Sequence, residues 1–116
     1  MKENTVVNKE SRRITTTYTL ENNYRVKVST YHYGSSKVIR STVSECIASQ
    51  SGIFTMETSM IFQDYNRVVM SESTPRYSFA ALEKQHAQAL TLAAPDVAAL
   101  LAAGEANARE CQNRAA

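Results

Sequence analysis

Apolar and polar side chains alternate along two stretches near the start of the chain, residues 13–20 and 24–33. A period of two sends successive side chains to opposite faces of a β-strand. One face of each stretch carries mainly apolar and threonine side chains: Ile14, Thr16, Tyr18 and Leu20 in the first, and Tyr24, Val26, Val28 and Thr30 in the second. The asparagines between the stretches suit a tight turn. The pattern therefore predicts a β-hairpin with one buried face.

Three further strands are predicted at residues 37–44, 53–62 and 67–71, each bounded by polar turn residues. The strand at 53–62 is the strongest core candidate, because four large apolar side chains share one of its faces: Phe54, Met56, Met60 and Phe62. The connections are too short for crossover helices, so an antiparallel meander is expected. Residues 1–11 are polar and are predicted to form a flexible arm.

Alanine marks a change of structure near residue 77. Ala48 is the only alanine before residue 80, whereas fourteen alanines follow it. Alanine is the best helix former, Ser78 can cap a helix, Pro95 suits a first helical turn and Gly104 can end a helix. The sequence thus predicts an α+β fold. An antiparallel sheet of four to five strands within residues 12–72 is followed by one or two C-terminal helices within 77–113, which cover one face of a single domain, residues 12–116.

The chain of 116 residues is 43% hydrophobic and long enough for one core. The predicted core combines apolar positions of the strands and the helical stripe: Ile14, Tyr18, Val26, Val28, Phe54, Met56, Met60, Phe62, Phe79, Leu82 and Leu90. A net charge of +2 is too small to make nucleic-acid or membrane-surface binding the default function.

The sequence also favours a cytoplasmic location. No apolar stretch of signal-peptide length occurs in the first twenty residues, and Asp96, Glu105 and Arg109 interrupt the alanine-rich tail. No membrane partner is therefore expected. Cys46 and Cys111 lack the dense pattern of a disulfide scaffold and are predicted to be reduced thiols.

Catalytic and cofactor chemistry finds little support in the residue types. The three glycines are isolated, so no phosphate-binding loop is predicted, and two histidines with two cysteines are too few for a structural metal site. Glu83 and His86 have a Glu-x-x-His spacing, but a carboxylate-bridged metal site needs a second copy. Glu45 and Glu57 are more simply solvated acids than a catalytic pair. Neither an enzyme nor any cofactor is expected.

A basic and aromatic strand face is the strongest candidate site. Cations offer phosphate contacts and tyrosines offer stacking platforms, and the predicted binding face combines both: Arg25, Lys27, Tyr31, Tyr33 and Lys37. The alternative interpretation is a solvent-facing strand whose side chains pair across to Thr15, Thr17 and Lys37.

Two functions follow as hypotheses. The first is a small non-catalytic module that binds another protein as a regulator, inhibitor or assembly subunit. Its size would suit a phage or plasmid accessory protein, and inhibitors of host defence such as anti-CRISPR proteins offer an analogy of size alone. The second is single-stranded nucleic-acid binding through the basic face. Self-association as a homodimer, by strand-edge pairing or by helix packing, is a further expectation.

Overall fold

The computed structural model describes residues 1–21, 24–34, 37–47 and 62–115, without the side chains of residues 46–47, 62–65 and 107–115. Five strands precede one helix: β1 (Lys2–Asn8), β2 (Arg13–Thr19), β3 (Tyr24–His32), β4 (Val38–Ile47), β5 (Phe62–Ser73) and α1 (Phe79–Ala115). The strands form one antiparallel sheet in the order β1-β2-β3-β4-β5, and α1 packs on it. The predicted α+β class is confirmed.

The pairing register assigns each strand position to one of two faces. Val26 lies opposite Tyr18 on β2 and opposite Glu45 on β4, whereas Lys27 lies opposite Thr17 and Ser44. Opposed residues of an antiparallel pair project to the same side of the sheet. The Val26 row lies under α1, and we call this side the covered face. The Lys27 row lies on the opposite side, which no described element covers, and we call it the open face.

The core forms between the covered face and one side of α1. Alternate β2 to β4 positions bury apolar side chains there, as the alternation predicts, and α1 contributes residues at helical spacing. The buried apolar set is Ile14, Leu20, Tyr24, Val26, Val28, Ile39, Val43, Leu82, Ala89, Ala93 and Val97. Of the predicted core residues, Tyr18, Phe79 and Leu90 are only partly buried and pack at its margin.

Helix α1 starts as expected and then runs further than expected. The backbone N–H of Ala81 donates to Ser78 Oγ at 3.1 Å, which is an N-cap. The helix passes through Pro95 without a restart. Gly104 does not end the helix. It is buried against the ring of Tyr24, which a Cβ atom at that position would overlap. Glycine here serves close helix–sheet packing.

Residues 1–11 do not form the predicted flexible arm. Lys2–Asn8 is strand β1, paired with β2 in continuous register from Lys2 opposite Thr19 to Asn8 opposite Arg13. All seven residues of β1 are exposed, so the strand shows no apolar alternation that could have identified it. The predicted strand at 53–62 lies outside the described residues except for Phe62, where β5 begins, and the predicted strand at 67–71 is part of β5.

Residues Phe79–Ala106 of α1 are long and apolar enough to cross a membrane by length and composition. Asp96 and Glu105 lie within this stretch, yet its mean hydropathy stays high, contrary to the expectation from the sequence. About a fifth of the 18-residue window that meets this criterion is buried.

Candidate binding face

The open face is built from alternate residues of all five strands. Its rows follow from the register, and each row runs across neighbouring strands that lie about 4.8 Å apart. Its described positions are Lys2, Asn4, Val6 and Asn8 on β1, Arg13, Thr15, Thr17 and Thr19 on β2, Arg25, Lys27, Ser29 and Tyr31 on β3, Val38, Arg40, Thr42 and Ser44 on β4, and Asn66, Val68, Ser71 and Ser73 on β5.

Charge is strongly sorted on this face. Among its described positions, basic side chains occur at five: Lys2, Arg13, Arg25, Lys27 and Arg40. None of the open-face positions with a described side chain is acidic; the side chain of Asp64, two residues before Asn66 on β5, is not described. Glu3, Glu45 and Glu72 occupy covered-face rows instead. The small net charge of the chain therefore conceals an uneven distribution: these open-face positions carry bases without acids, whereas the covered-face rows carry three acids together with Arg67, which pairs with Asp96 of α1.

One row combines two arginines with a tyrosine. Tyr31 lies opposite Arg13 on β2 and opposite Arg40 on β4. The Arg13 guanidinium carbon is 5.0 Å from the centre of the Tyr31 ring, which is a cation–π distance. Just beyond β3, the ring of Tyr33 meets Tyr31 edge-on, with 5.1 Å between ring centres. Tyr33 is 59% exposed, so its ring offers a free surface for stacking.

The other end of the open face is a broad depression without aromatic side chains. Its volume is about 790 Å³, and residues of β1, β2 and β3 line it. The lining includes the open-face residues Lys2, Thr17, Thr19, Arg25 and Lys27, together with the acidic residues Glu3 and Glu21. The face thus has one end where two arginines flank an aromatic ring and another end with three cations and no aromatic side chain, joined by threonine and serine rows.

The structure brings together most of the predicted site. Arg25, Lys27 and Tyr31 share the open face of β3, and Tyr33 touches Tyr31. Lys37 is exposed but precedes β4, so no strand register assigns it to the open face. The interpretation of β3 as an ordinary surface strand is also met in part, because Lys27 does lie opposite Thr17 and Ser29 opposite Thr15.

Sequence reasoning missed three cations of the face. Arg13 was on the predicted outer side of its strand, and extending the hairpin register would have set it opposite Tyr31. Extending the register by one more strand, from β3 to β4, would likewise have set Arg40 opposite Tyr31. Lys2 could not be found, because the strand that carries it was not predicted.

A second group of cations lies where the β1–β2 turn meets the start of α1. Arg12 has a positive φ of 53°, a backbone conformation that residues other than glycine seldom adopt. Its guanidinium lies 4.4 Å from the centre of the Tyr77 ring, and Nη1 is 3.1 Å from Nδ1 of His32. A guanidinium can only donate, so His32 Nδ1 accepts. Lys9 similarly lies 4.7 Å from the ring centre of Phe79. These contacts hold the β1–β2 turn against the residues at the start of α1.

His86 belongs to a buried polar chain rather than to a reactive site. Its Nε2 and Nδ1 each lie 2.8 Å from a threonine hydroxyl, of Thr16 and Thr30 respectively. Thr30 in turn contacts Ser41, which accepts from Gln85 of α1. Burial lowers the pKa of His86, because the charged imidazolium would lose its hydration. This series of hydrogen-bonded side chains joins α1 to β2, β3 and β4.

The metal and acid–base alternatives do not gain support. Glu83 is exposed, whereas His86 is buried with both ring nitrogens engaged by threonines, so this pair does not form a ligand set. The described residues contain no group of three His, Cys, Asp or Glu side chains that could hold a metal ion. Glu45 accepts a hydrogen bond from the Tyr24 hydroxyl on the covered face. Glu57 lies outside the described residues, and the side chains of Cys46 and Cys111 are not described, so their unpaired state remains a prediction.

Comparisons of this chain with protein-family models, with curated proteins and with solved structures find no match. The functional argument therefore rests on the geometry of the open face.

Proposed function

We propose that this protein is a non-catalytic module that binds single-stranded nucleic acid on the open face of its sheet. The supporting observation is the sorting of charge: five cations and no acid among the described positions of that face. Phosphate groups supply the matching negative charge, and binding releases the counterions condensed on them.

Single strands fit the face better than a duplex does. Unpaired bases can stack on exposed aromatic rings, which duplex bases cannot reach, and Tyr31 and Tyr33 lie at one end of the basic surface. Lys27 and Tyr31 are four residues apart on β3, which separates them by about 13 Å. A strand of several nucleotides would therefore contact phosphate-binding and stacking side chains together.

The test is a fluorescence-anisotropy titration of a labelled single-stranded oligonucleotide across a range of salt concentrations. Lys27→Ala is expected to weaken binding and to reduce the log–log salt slope by about 0.7, which corresponds to one phosphate contact. Tyr33→Ala is expected to weaken binding by about 1 to 3 kcal/mol with little change in slope, since stacking releases no counterions.

Lys84→Ala is the matched control, because Lys84 is an exposed cation on α1, away from the open face. It should bind like the unmodified protein. A duplex of the same sequence should bind more weakly than the single strand. Absence of binding at low salt, where attraction is strongest, would refute the proposal.

Protein binding is the second candidate, and the outer surface of α1 favours it. Between Lys84 and Glu105 the only charged residue of α1 is Asp96, which is partly exposed and paired with Arg67, and Leu92 is 56% exposed. A surface with so few charges suits a regulator, inhibitor or assembly subunit. Purification of tagged protein from its native cell after nuclease treatment should then retain a partner that Leu92→Lys releases and Lys27→Ala keeps.

A further inference from the structure

The depression at the Lys2 end of the open face has three cations around a threonine. The register sets Lys2 opposite Thr19 and Thr19 opposite Arg25, so the two cations flank this threonine in one row. They are two strand spacings apart, which is about 10 Å, and Lys27 follows Arg25 by about 7 Å along β3 on the same face. All four residues line the depression, so three flexible cationic side chains lie around one hydroxyl.

Several of these groups have no partner within the described part of the chain. Lys2 and Lys27 form no ion pair with another described residue. The hydroxyls of Thr17 and Thr19 make no hydrogen bond to another described side chain, whereas the hydroxyl of Thr15, on the same face of the same strand, does. Ammonium and hydroxyl groups donate to phosphate oxygens. The lining therefore offers a group of donors to an anionic ligand.

The two acids of the lining lie beside this group of donors rather than within it. Glu3 lies opposite Tyr18 on the covered face, where burial and then the charge of Glu3 raise the pKa of the Tyr18 hydroxyl. Glu21 comes two residues after Thr19, the last residue of β2, and so lies beyond the final row of the sheet. A phosphodiester backbone that continued past this row would meet like charge. The depression therefore suits the end of a strand better than its middle.

The chemistry of a strand end matches the lining. A phosphate monoester carries a charge of about −1.5 to −2 at pH 7 and three acceptor oxygens, whereas each backbone phosphodiester carries a single charge. Three cations with a hydroxyl between them fit the more highly charged group. The volume of about 790 Å³ is also in the range of pockets that enclose small ligands, which a backbone that only crossed the sheet would not need.

We propose that the depression binds the terminal phosphate monoester of a single strand. Lys2, Arg25 and Lys27 balance its charge, and Thr19 donates to one of its oxygens. This inference rests on the proposed function and adds recognition of the strand end to it. The strand then lies along about 20 Å of β3 from Arg25 to Tyr31, where its bases reach the aromatic rings.

The test compares three internally labelled oligonucleotides of one sequence by fluorescence anisotropy at a fixed salt concentration. One carries a 5′-phosphate, one carries a 3′-phosphate and one has hydroxyls at both ends. One of the phosphorylated strands should bind at least about tenfold more tightly than the unphosphorylated strand, because hydrogen bonds between charged groups are stronger than neutral ones.

Variants test the location of the phosphate. Lys2→Ala and Thr19→Val should each remove most of the preference for the phosphorylated strand, and Lys2→Arg should keep it because the charge is retained. Arg40→Ala, at the other end of the open face, is the matched control. It should weaken binding of phosphorylated and unphosphorylated strands alike and leave their ratio unchanged. Binding of the unphosphorylated strand reports that each variant is folded.

The outcomes separate this inference from the proposed function. Equal binding of all three strands would overturn end recognition and leave the proposed function in place, whereas absence of binding by all three would refute the proposed function itself. A preference that Arg40→Ala removes and Lys2→Ala keeps would contradict the assignment to the depression. A nucleoside monophosphate that binds as tightly as the phosphorylated strand would assign the depression to free phosphorylated molecules instead, and the inference would be wrong.

Discussion

Polar groups have different surroundings on the two faces of the sheet. On the covered face, hydroxyl, amide and imidazole groups bond to one another, as in the contacts of His86 with Thr16 and Thr30. On the open face, hydroxyls lie in rows between cations, and no acid occurs among the described positions. The same alternating strands build both faces. The covered face thus carries the core, whereas no described element covers the open face, which we propose as the binding surface.

Water explains the difference. A buried polar group without a partner costs free energy, so threonines under α1 persist only because they are paired. Cations that are exposed to water, such as Arg13 and Arg40, stay hydrated and incur no such cost. Burial therefore does not explain why these cations share one side of the sheet, and their segregation motivates the proposed function.

The largest expected effect distinguishes the two sides of α1. Leu82 is fully buried against the sheet, whereas Leu92 is 56% exposed. Leu82→Ala should lower the free energy of unfolding by about 2 to 5 kcal/mol, because it removes packed apolar volume. Leu92→Ala, the same change in the same helix, should lower it by less than about 1 kcal/mol. Denaturant unfolding measures both. Equal losses would mean that the outer side of α1 is also buried.

A smaller effect should appear as a pH dependence of the covered face. Burial lowers the pKa of His86 in the folded state, so below about pH 6.5 the unfolded chain binds a proton that the folded chain resists. Stability should therefore be full above pH 6.5 and fall as the pH decreases toward the lowered folded value, by at most about 1.4 kcal/mol per pH unit.

The matched variant for this effect is His86→Gln, which keeps a polar side chain but does not titrate. The pH dependence of its unfolding free energy, subtracted from that of the unmodified protein, isolates the contribution of His86. A difference that does not change between pH 7.5 and 5, or that changes in the opposite direction, would contradict the assignment of His86 as a neutral buried link.

Most of the fold follows from the sequence, because its burial pattern is periodic. Ile14 and Val26 alternate with polar neighbours, which suffices to predict strands, faces and the antiparallel meander. Strand β1 was not predicted, because an edge strand exposed on both faces has no such periodicity. Helix α1 was predicted to stop or restart at Pro95 and Gly104, but packing of residues on either side of Pro95 maintains the helix.

The candidate site was only partly predictable for a related reason. Alternation identifies which residues of β3 share a face, but the full set of cations depends on cross-strand register, which brings Arg13 and Arg40 to either side of Tyr31. Register is a long-range property that the composition of the two halves of the chain does not contain. The buried hydrogen bonds of His86 could not be predicted either, because a prediction would have required knowing which helix residue lies above Thr16 and Thr30.

The smallest expected effect on stability is at the open face. Lys27 is half-buried beside uncharged Thr17 and Ser44, so Lys27→Ala should change the free energy of unfolding by less than about 0.5 kcal/mol. Its effect should emerge only with ligand present, because a ligand that binds the folded state raises stability according to its concentration relative to the dissociation constant. Thermal unfolding with saturating single-stranded oligonucleotide should therefore raise the Tm of the unmodified protein more than that of Lys27→Ala. A loss of 2 kcal/mol or more without ligand would instead show that Lys27 is part of the packing. The separation between a face that folds and a face that binds would then be wrong.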